Sequence, residues 1–97
     1  EDRQLLARVL GPEREVLELI RKMPGVRKVH SLGMREEGAF EFQIEPREDT
    51  EIRGDLFVRL AARNWPLYEL KSNEMSLEDI FLQLTREADN AYGGGNA

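Results

Sequence analysis

Apolar and polar residues alternate along short segments of the chain, a two-residue period that is typical of strands with one buried face. The clearest case runs from Phe40 to Ile44, where Glu41 and Gln43 separate the apolar residues. The other predicted strands cover residues 4–10, 26–32 and 67–71. Glycines begin and end residues 33–38, so this segment is predicted to be a hairpin loop. The second and third strands are therefore expected to be antiparallel.

Helical spacing of apolar residues predicts a first helix between the first two strands. It begins at Pro12 and ends before Pro24, and Gly25 is expected to supply the left-handed turn that follows. Its apolar stripe consists of Val16, Leu17, Ile20 and Met23. Acidic residues in the first turn and basic residues in the last turn suit the helix dipole.

Two more helices are predicted further along the chain. The second is capped by Asp49 or Thr50 and ends at Asn64. After a polar turn at residues 72–74, the third helix begins at Ser76. The apolar stripe of the second helix consists of Ile52, Leu56, Phe57, Leu60 and Ala61.

The predicted order is β-α-β-β-α-β, followed by an extra C-terminal helix. This order predicts an α+β domain with a ferredoxin-like fold, in which both of the first two helices cover one face of a four-stranded antiparallel sheet. A chain of 97 residues has room for one core. Residues 1–87 are therefore expected to form one domain, and residues 88–97 a disordered tail. The fold itself hosts many functions and selects none of them.

Composition and charge exclude several classes of function. The chain contains no Cys, which excludes disulfides and thiolate chemistry. Its formal net charge is -5, and no aromatic residues interleave with the basic residues near the first helix, so nucleic acid is not an expected partner. No stretch approaches the roughly 20 apolar residues that span a bilayer, so no direct membrane insertion is expected.

Candidate catalytic and metal-binding residues all have structural explanations. Gly33 and Gly38 have the spacing of a phosphate-binding P-loop, but the lysine and hydroxyl residues that must follow are missing. His30 is the only histidine, which excludes multi-histidine metal sites. The carboxylates at 48–51 and 78–79 lie where acids stabilise helix dipoles. No catalytic, cofactor or metal site is predicted in this chain.

Trp65 lies where the second helix gives way to the fourth strand, and two interpretations are open. The indole ring can close the core, or it can be a partly exposed anchor at an interface with another protein.

Two segments of the C-terminal half carry a family resemblance. The first is Trp65-Pro66-Leu67-Tyr68-Glu69-Leu70, and the second follows Met75 and consists of Ser76, Leu77, Glu78, Asp79, Ile80, Phe81, Leu82, Gln83, Leu84 and Thr85. Together they resemble the C-terminal end of ATP-binding subunits of bacterial ABC transporters, in particular the drug-resistance, multidrug-efflux and gliding-motility exporter branch. Residues 19–26 are similar to the leucine-rich helix of that family, which ends in L-P-G-V. The resemblance covers residues 3–87.

The resemblance implies an accessory domain attached to a cytoplasmic ATPase that powers export through a separate membrane permease. The chain is then expected to be a piece of a larger protein, whose ATP-binding motifs precede Glu1. ATP and Mg belong to that parent chain, and no residue here is expected to bind a cofactor or catalyse a reaction. The implied partners are the domain's own ATPase, a second copy of the subunit and the permease, at the inner face of the cell membrane.

Within the closing segment, Ser76 and Asp79 form a variant of the capping box, and Leu77, Ile80, Phe81 and Leu84 are expected to pack. Trp65, Phe81 and Leu84 are the candidates for contacts with a partner. Two alternatives on the same fold stay open. An ACT-like domain that senses small molecules needs a glycine-bearing loop after the first strand, which Gly11-Pro12 supplies. An acylphosphatase-like enzyme needs an arginine loop for phosphate, but residues 11–14 put an acid there.

Overall fold

Four strands and two helices make up residues 2–75, the part of the 97-residue chain that the computed structural model describes. In chain order they are β1 (Asp2–Leu10), α1 (Glu13–Arg21), β2 (Val26–Glu36), β3 (Ala39–Pro46), α2 (Arg53–Ala62) and β4 (Leu67–Met75). The sheet is antiparallel throughout, with the strand order β2-β3-β1-β4. The predicted α+β class and the order of these six elements are confirmed. The third helix predicted from Ser76, and the tail predicted at 88–97, lie outside the described residues.

One face of the sheet carries the core. Leu5, Ala7 and Val9 alternate along β1 with polar or half-buried residues, and all three are buried. Their partners across the sheet, in β3, are also apolar; Ala7, for example, lies opposite Phe42. Both helices contribute to the same buried cluster, through Val16, Ile20, Leu56 and Leu60. Both helices therefore cover the same face of the sheet, and neither of them is long and apolar enough to cross a membrane.

The connection between α1 and β2 corrects one prediction. Gly25 is not among the glycines with positive φ, so it does not supply a left-handed turn. Instead, a Cβ atom at Gly25 would lie 2.6 Å from Cγ2 of Ile52 and 2.8 Å from Cγ2 of Thr50. Glycine is needed here because the segment before α2 packs directly on the backbone.

The β2–β3 hairpin is longer than predicted. The six-residue loop expected at 33–38 is wrong, because β2 continues to Glu36 and only Glu37 and Gly38 form the turn. Gly33 lies inside the strand at φ 95°, where the register with β3 shifts. A glycine inside a strand can mark a bulge as well as a loop, and here pairing resumes beyond it.

The polar turn predicted at 72–74 is also wrong, since β4 continues to Met75. These residues pair with the start of β1, which places Ser72 opposite Leu5 and Met75 opposite Asp2. Backbone hydrogen bonds to β1 extend the strand here, although its residues have no apolar alternation.

The start of α2 differs from the prediction as well. Ile52 is the N-cap residue and makes no side-chain cap, so neither Asp49 nor Thr50 caps the helix. The carboxylate of Glu51 accepts a 2.8 Å hydrogen bond from the backbone N–H of Arg53, which satisfies one of the free donors of the first turn. Asn64 follows the helix at φ 61°, in the left-handed region that often ends helices.

Candidate interaction surface

An open, largely apolar groove lies between the C-terminal half of α2 and the start of β4. Its volume is about 380 Å³, and we call it the α2–β4 groove. It is lined by Phe57, Leu60, Ala61, Asn64, Trp65, Pro66 and Leu67. Apolar surface of this kind on a small domain is characteristic of places where another protein or a ligand binds.

The groove exists because α2 has more apolar residues than the core can cover. Leu56 and Leu60, one turn apart, are buried against the sheet. Phe57 and Val58 follow Leu56 directly and are turned away by about 100° for each residue. As a result, 59% of Phe57 and 62% of Val58 is exposed. The predicted stripe of α2 is therefore confirmed at Ile52, Leu56 and Leu60, and wrong at Phe57 and Ala61, which do not enter the core.

Trp65 is held in place at the end of the groove. Its backbone N–H donates a 3.0 Å hydrogen bond to the carbonyl of Leu60, and the guanidinium of Arg63 lies 5.3 Å from the ring centroid. The ring is half-buried, packs against the core and closely approaches Gly11. The ring therefore closes part of the core, as the first interpretation predicted, and its other side lines the groove; its role as an anchor at an interface stays a prediction.

The edge of the sheet adjoins the groove. In the strand order of residues 2–75, β4 has β1 on one side and no strand on the other. Tyr68, at the bulge where the register with β1 shifts, is 49% exposed. Apolar side chains and an open strand edge thus lie next to each other on this side of the domain.

The opposite face of the sheet carries a network of ion pairs around Arg8. Its guanidinium lies 2.8 Å from Glu36, 3.6 Å from Glu41 and 3.6 Å from Glu69. The hydrogen bond from Arg8 to Glu36 raises the pKa of Arg8. Arg35 donates a 2.8 Å hydrogen bond to Glu41, whose side chain is only 10% exposed. Because carboxylates surround Arg8, this network is suited to joining strands and not to binding an anion.

A second, polar depression lies at the other end of the sheet, beside the loop that precedes α2. Its volume is about 660 Å³, and arginines and carboxylates line it together. Two of its carboxylates are paired with arginines, since Glu45 lies 3.5 Å from Arg27, and Glu51 lies 2.7 Å from Arg53 of α2. The guanidinium of Arg53 lowers the pKa of Glu51 to about 2. A depression with both signs of charge has no clear preference for a charged ligand.

Metal and histidine chemistry find no support among residues 2–75. No group of three or more His, Asp or Glu side chains there could hold a metal ion. His30 lies exposed on β2, opposite Gln43.

Of the predicted contact residues, only Trp65 lies within the described chain, while Phe81, Leu84 and the rest of the segment 76–85 lie outside it. The sequence interpretation missed Phe57 and Tyr68 as surface residues. Three consecutive apolar residues in α2, at 56–58, were the available signal, because successive residues on a helix cannot all face one core.

Comparison of the chain with protein-family models gives no match, and comparison with curated proteins gives no significant match. The family resemblance therefore depends on the residues of the two C-terminal segments and on residues 19–26.

Proposed function

We propose that this chain is an accessory domain of the cytoplasmic ATP-binding subunit of a bacterial ABC-type exporter, and that it regulates or stabilises the dimer of that subunit. The observation that supports an interaction role most directly is the α2–β4 groove, in which Phe57 is 59% exposed and Trp65 is half-buried. The exporter assignment is supported by the resemblance of segments 65–70 and 76–85. ATP and Mg are bound by the parent chain in this proposal.

The proposal includes a ferredoxin-like fold for the domain. Its support is the order β2-β3-β1-β4, with the first and third strands in the centre, together with two helices on one face. This arrangement leaves the α2–β4 groove at the side of the domain, beside an edge strand.

An apolar groove beside a strand edge suits the proposed task. Two ATP-binding subunits approach each other when they enclose ATP, and an attached domain can change the free energy of that approach by gaining or losing one contact. Burying Phe57 against a partner removes apolar area from water, at roughly 25 cal/mol for each Å². The partner can be the domain's own ATPase, the second subunit or the membrane permease.

Sensing of a small molecule, as in an ACT-like domain, stays an alternative prediction. The loop after β1 would have to accept the ligand, but a Cβ atom at Gly11 would lie only 3.0 Å from the ring of Trp65. The indole ring therefore fills the space beside this loop. A thermal-shift screen with amino acids and candidate export substrates tests the alternative, which fails if no compound shifts the melting temperature.

The test of the proposed function is Phe57→Glu in the complete exporter subunit, assembled with its permease. A carboxylate at this position has to lose water when a partner covers the groove, which is unfavourable. We expect subunit dimerisation, ATPase activity or transport to change by about tenfold, the effect of 1.4 kcal/mol. Met34→Glu is the matched control, because Met34 is 57% exposed and lies on β2, at the other edge of the sheet.

Deletion of residues 1–97 from the subunit provides the second arm. If the deletion and Phe57→Glu both leave ATPase activity, dimerisation and transport unchanged, the domain has no accessory role. If both glutamate variants change these properties equally, the effect is not specific to the groove and the assignment of this surface is wrong.

A further inference from the structure

In the described part of the chain, the outer side of β4 has no neighbouring strand and can act as a template for one. Along its inner side, β4 pairs with β1 from Asp2 to Val9. Within residues 2–75 no strand lies on its outer side, so a row of backbone donors and acceptors is presented there. Strands from other molecules pair with such edges unless charge or irregular geometry opposes them.

The side chains of β4 complement those of an identical strand that runs antiparallel to it. With a two-fold axis at Leu70, Glu69 lies opposite Lys71 of the second copy, and Lys71 lies opposite Glu69 of the second copy. Both side chains project from the face of the sheet away from the helices, because their neighbours across β1 are Arg8 and Leu6. Opposite charges directly across two strands stabilise their pairing, and the symmetry makes this pair occur twice.

The same axis places Leu70 opposite its own copy on the helix-covered face. Leu70 is half-buried there and already packs against the core. The register with β1 is regular from Glu69 to Met75, since the bulge lies before Glu69. With the axis at Leu70, residues 69–71 of both copies lie in this regular part and form the centre of the ladder, and Tyr68 at the bulge faces Ser72 of the second copy.

The α2–β4 groove borders this edge, because Leu67 belongs both to the groove and to β4. A ladder of one strand pair buries less than the roughly 800 Å² for each partner of a standard interface. The exposed apolar residues beside the edge, Phe57 and Tyr68, supply further area.

We propose that two copies of this chain dimerise by antiparallel pairing of their β4 strands about a two-fold axis at Leu70, so that two sheets become one. This inference rests on the proposed function and deepens it, since it identifies the partner of the domain as a second copy.

Charge reversal on the 97-residue chain tests the register of this pairing. Lys71→Glu puts two carboxylates opposite each other at both ends of the axis, and we expect the dimer dissociation constant, measured by sedimentation, to rise about tenfold. The double variant Glu69→Lys/Lys71→Glu makes the strand self-complementary again and is expected to restore most of the affinity. Lys28→Glu makes the same charge change on β2 and is the control.

A monomeric parent chain overturns the inference, and so does a double variant that is folded but dimerises no better than Lys71→Glu. Because Glu69 also lies 3.6 Å from Arg8, the double variant can lose monomer stability. Denaturant unfolding at low protein concentration measures that loss separately from the loss of dimer.

An introduced cysteine gives a second measurement that does not depend on charge. The chain has no Cys, so a single Leu70→Cys substitution can form a disulfide only between two copies. Directly opposite residues of an antiparallel pair have Cα atoms about 4.5–5.5 Å apart, within the range of a disulfide. We expect a covalent dimer on mild oxidation of Leu70→Cys and none for His30→Cys on β2; equal yields from the two variants contradict the proposal.

These results are separable from the test of the proposed function. If the chain is monomeric, the proposed β4 pairing is wrong, but this result does not test a contact between the groove and the ATPase or permease. Conversely, the chain can dimerise through β4 while Phe57→Glu has no effect on the exporter. That combination contradicts the accessory role of the groove and supports the pairing.

Discussion

The two edge strands of this sheet differ in regularity and in charge. β2 changes register with β3 at three places and contains Gly33 at φ 95°. Its charges are mostly positive, with three cations, Arg27, Lys28 and Arg35, and one carboxylate, Glu36. β4 changes register with β1 once, before Glu69, and then carries charges of opposite sign at Glu69 and Lys71.

This difference indicates which edge can accept another strand. Bulges twist the outer side of β2 and break its row of donors and acceptors, and the excess of positive charge on this strand opposes its pairing with a second copy. Residues 69–71 of β4 have neither obstacle. An edge with alternating charges combines solubility as a monomer with complementarity to its own copy.

Arg8 connects the two edges across the open face. From β1 its guanidinium reaches Glu36 on β2, at 2.8 Å, and Glu69 on β4, at 3.6 Å. A change of charge at one edge therefore alters the electrostatic environment at the other edge. Loss of Glu69 from the network leaves Arg8 with Glu36 and Glu41, so the monomer keeps most of these contacts.

The largest expected effect comes from Phe42→Ala, which tests whether both edges depend on one core. Phe42 is fully buried in β3, opposite Ala7 and Ser31. We expect the free energy of unfolding to fall by about 3–5 kcal/mol in denaturant titrations. Amide hydrogen exchange should accelerate in β2 and β4 together, since one core supports both.

Phe40→Ala is the control for that experiment, because Phe40 lies on the same face of β3 but is only half-buried. Its loss should be clearly smaller. Protection lost from β2 alone in Phe42→Ala would contradict a single cooperative core and would make the two edges independent units.

A smaller effect is expected from Gly33→Ala, which tests the irregularity of β2. Apart from its chain neighbours, no atom of residues 2–75 lies within 4 Å of an added Cβ, so the backbone conformation at φ 95° is what opposes the substitution. We expect a loss of about 1–2 kcal/mol in the free energy of unfolding, with no change in dimerisation. Gly54→Ala, inside α2 and also without a close contact, should instead stabilise the chain by up to about 1 kcal/mol.

If both glycine substitutions change the free energy of unfolding in the same direction, the positive φ of Gly33 is not the reason that glycine is needed there. Stronger self-association of Gly33→Ala would show that the bulge protects the β2 edge against pairing, which would sharpen the contrast with β4.

The order of the elements was predictable from sequence because it depends on local signals. Pro12 marks the start of α1, and the alternation from Phe40 to Ile44 identifies β3. Two element lengths were not predictable in the same way. β2 passes through Gly33, and β4 passes through Ser72, because backbone pairing with a neighbouring strand extends each one beyond its apolar pattern.

The candidate surface was predictable only at Trp65. Whether Phe57 belongs to the core depends on where α2 lies on the sheet, which periodicity alone does not define. The edge position of β4 depends on the strand order, and that order involves contacts between residues far apart in sequence.

The smallest expected effect concerns the ion pair before α2, away from the edge of β4. Arg53 lowers the pKa of Glu51 from its ordinary value of 4.5 to about 2, through hydrogen bonds from its guanidinium and its backbone N–H. Because the folded-state pKa lies below the unfolded value, the ionised pair stabilises the fold above pH 4.5. This contribution decreases as the pH falls towards 2. The difference in unfolding free energy between the parent chain and Glu51→Gln should therefore be constant near neutral pH and vanish in acid.

In NMR titrations, Arg53→Gln should raise the pKa of Glu51 only part of the way to 4.5, because the backbone N–H still donates. An unchanged pKa in that variant would mean that the guanidinium is not its main cause. A dimer dissociation constant that follows the titration of Glu51 would contradict the assignment of the interface to β4.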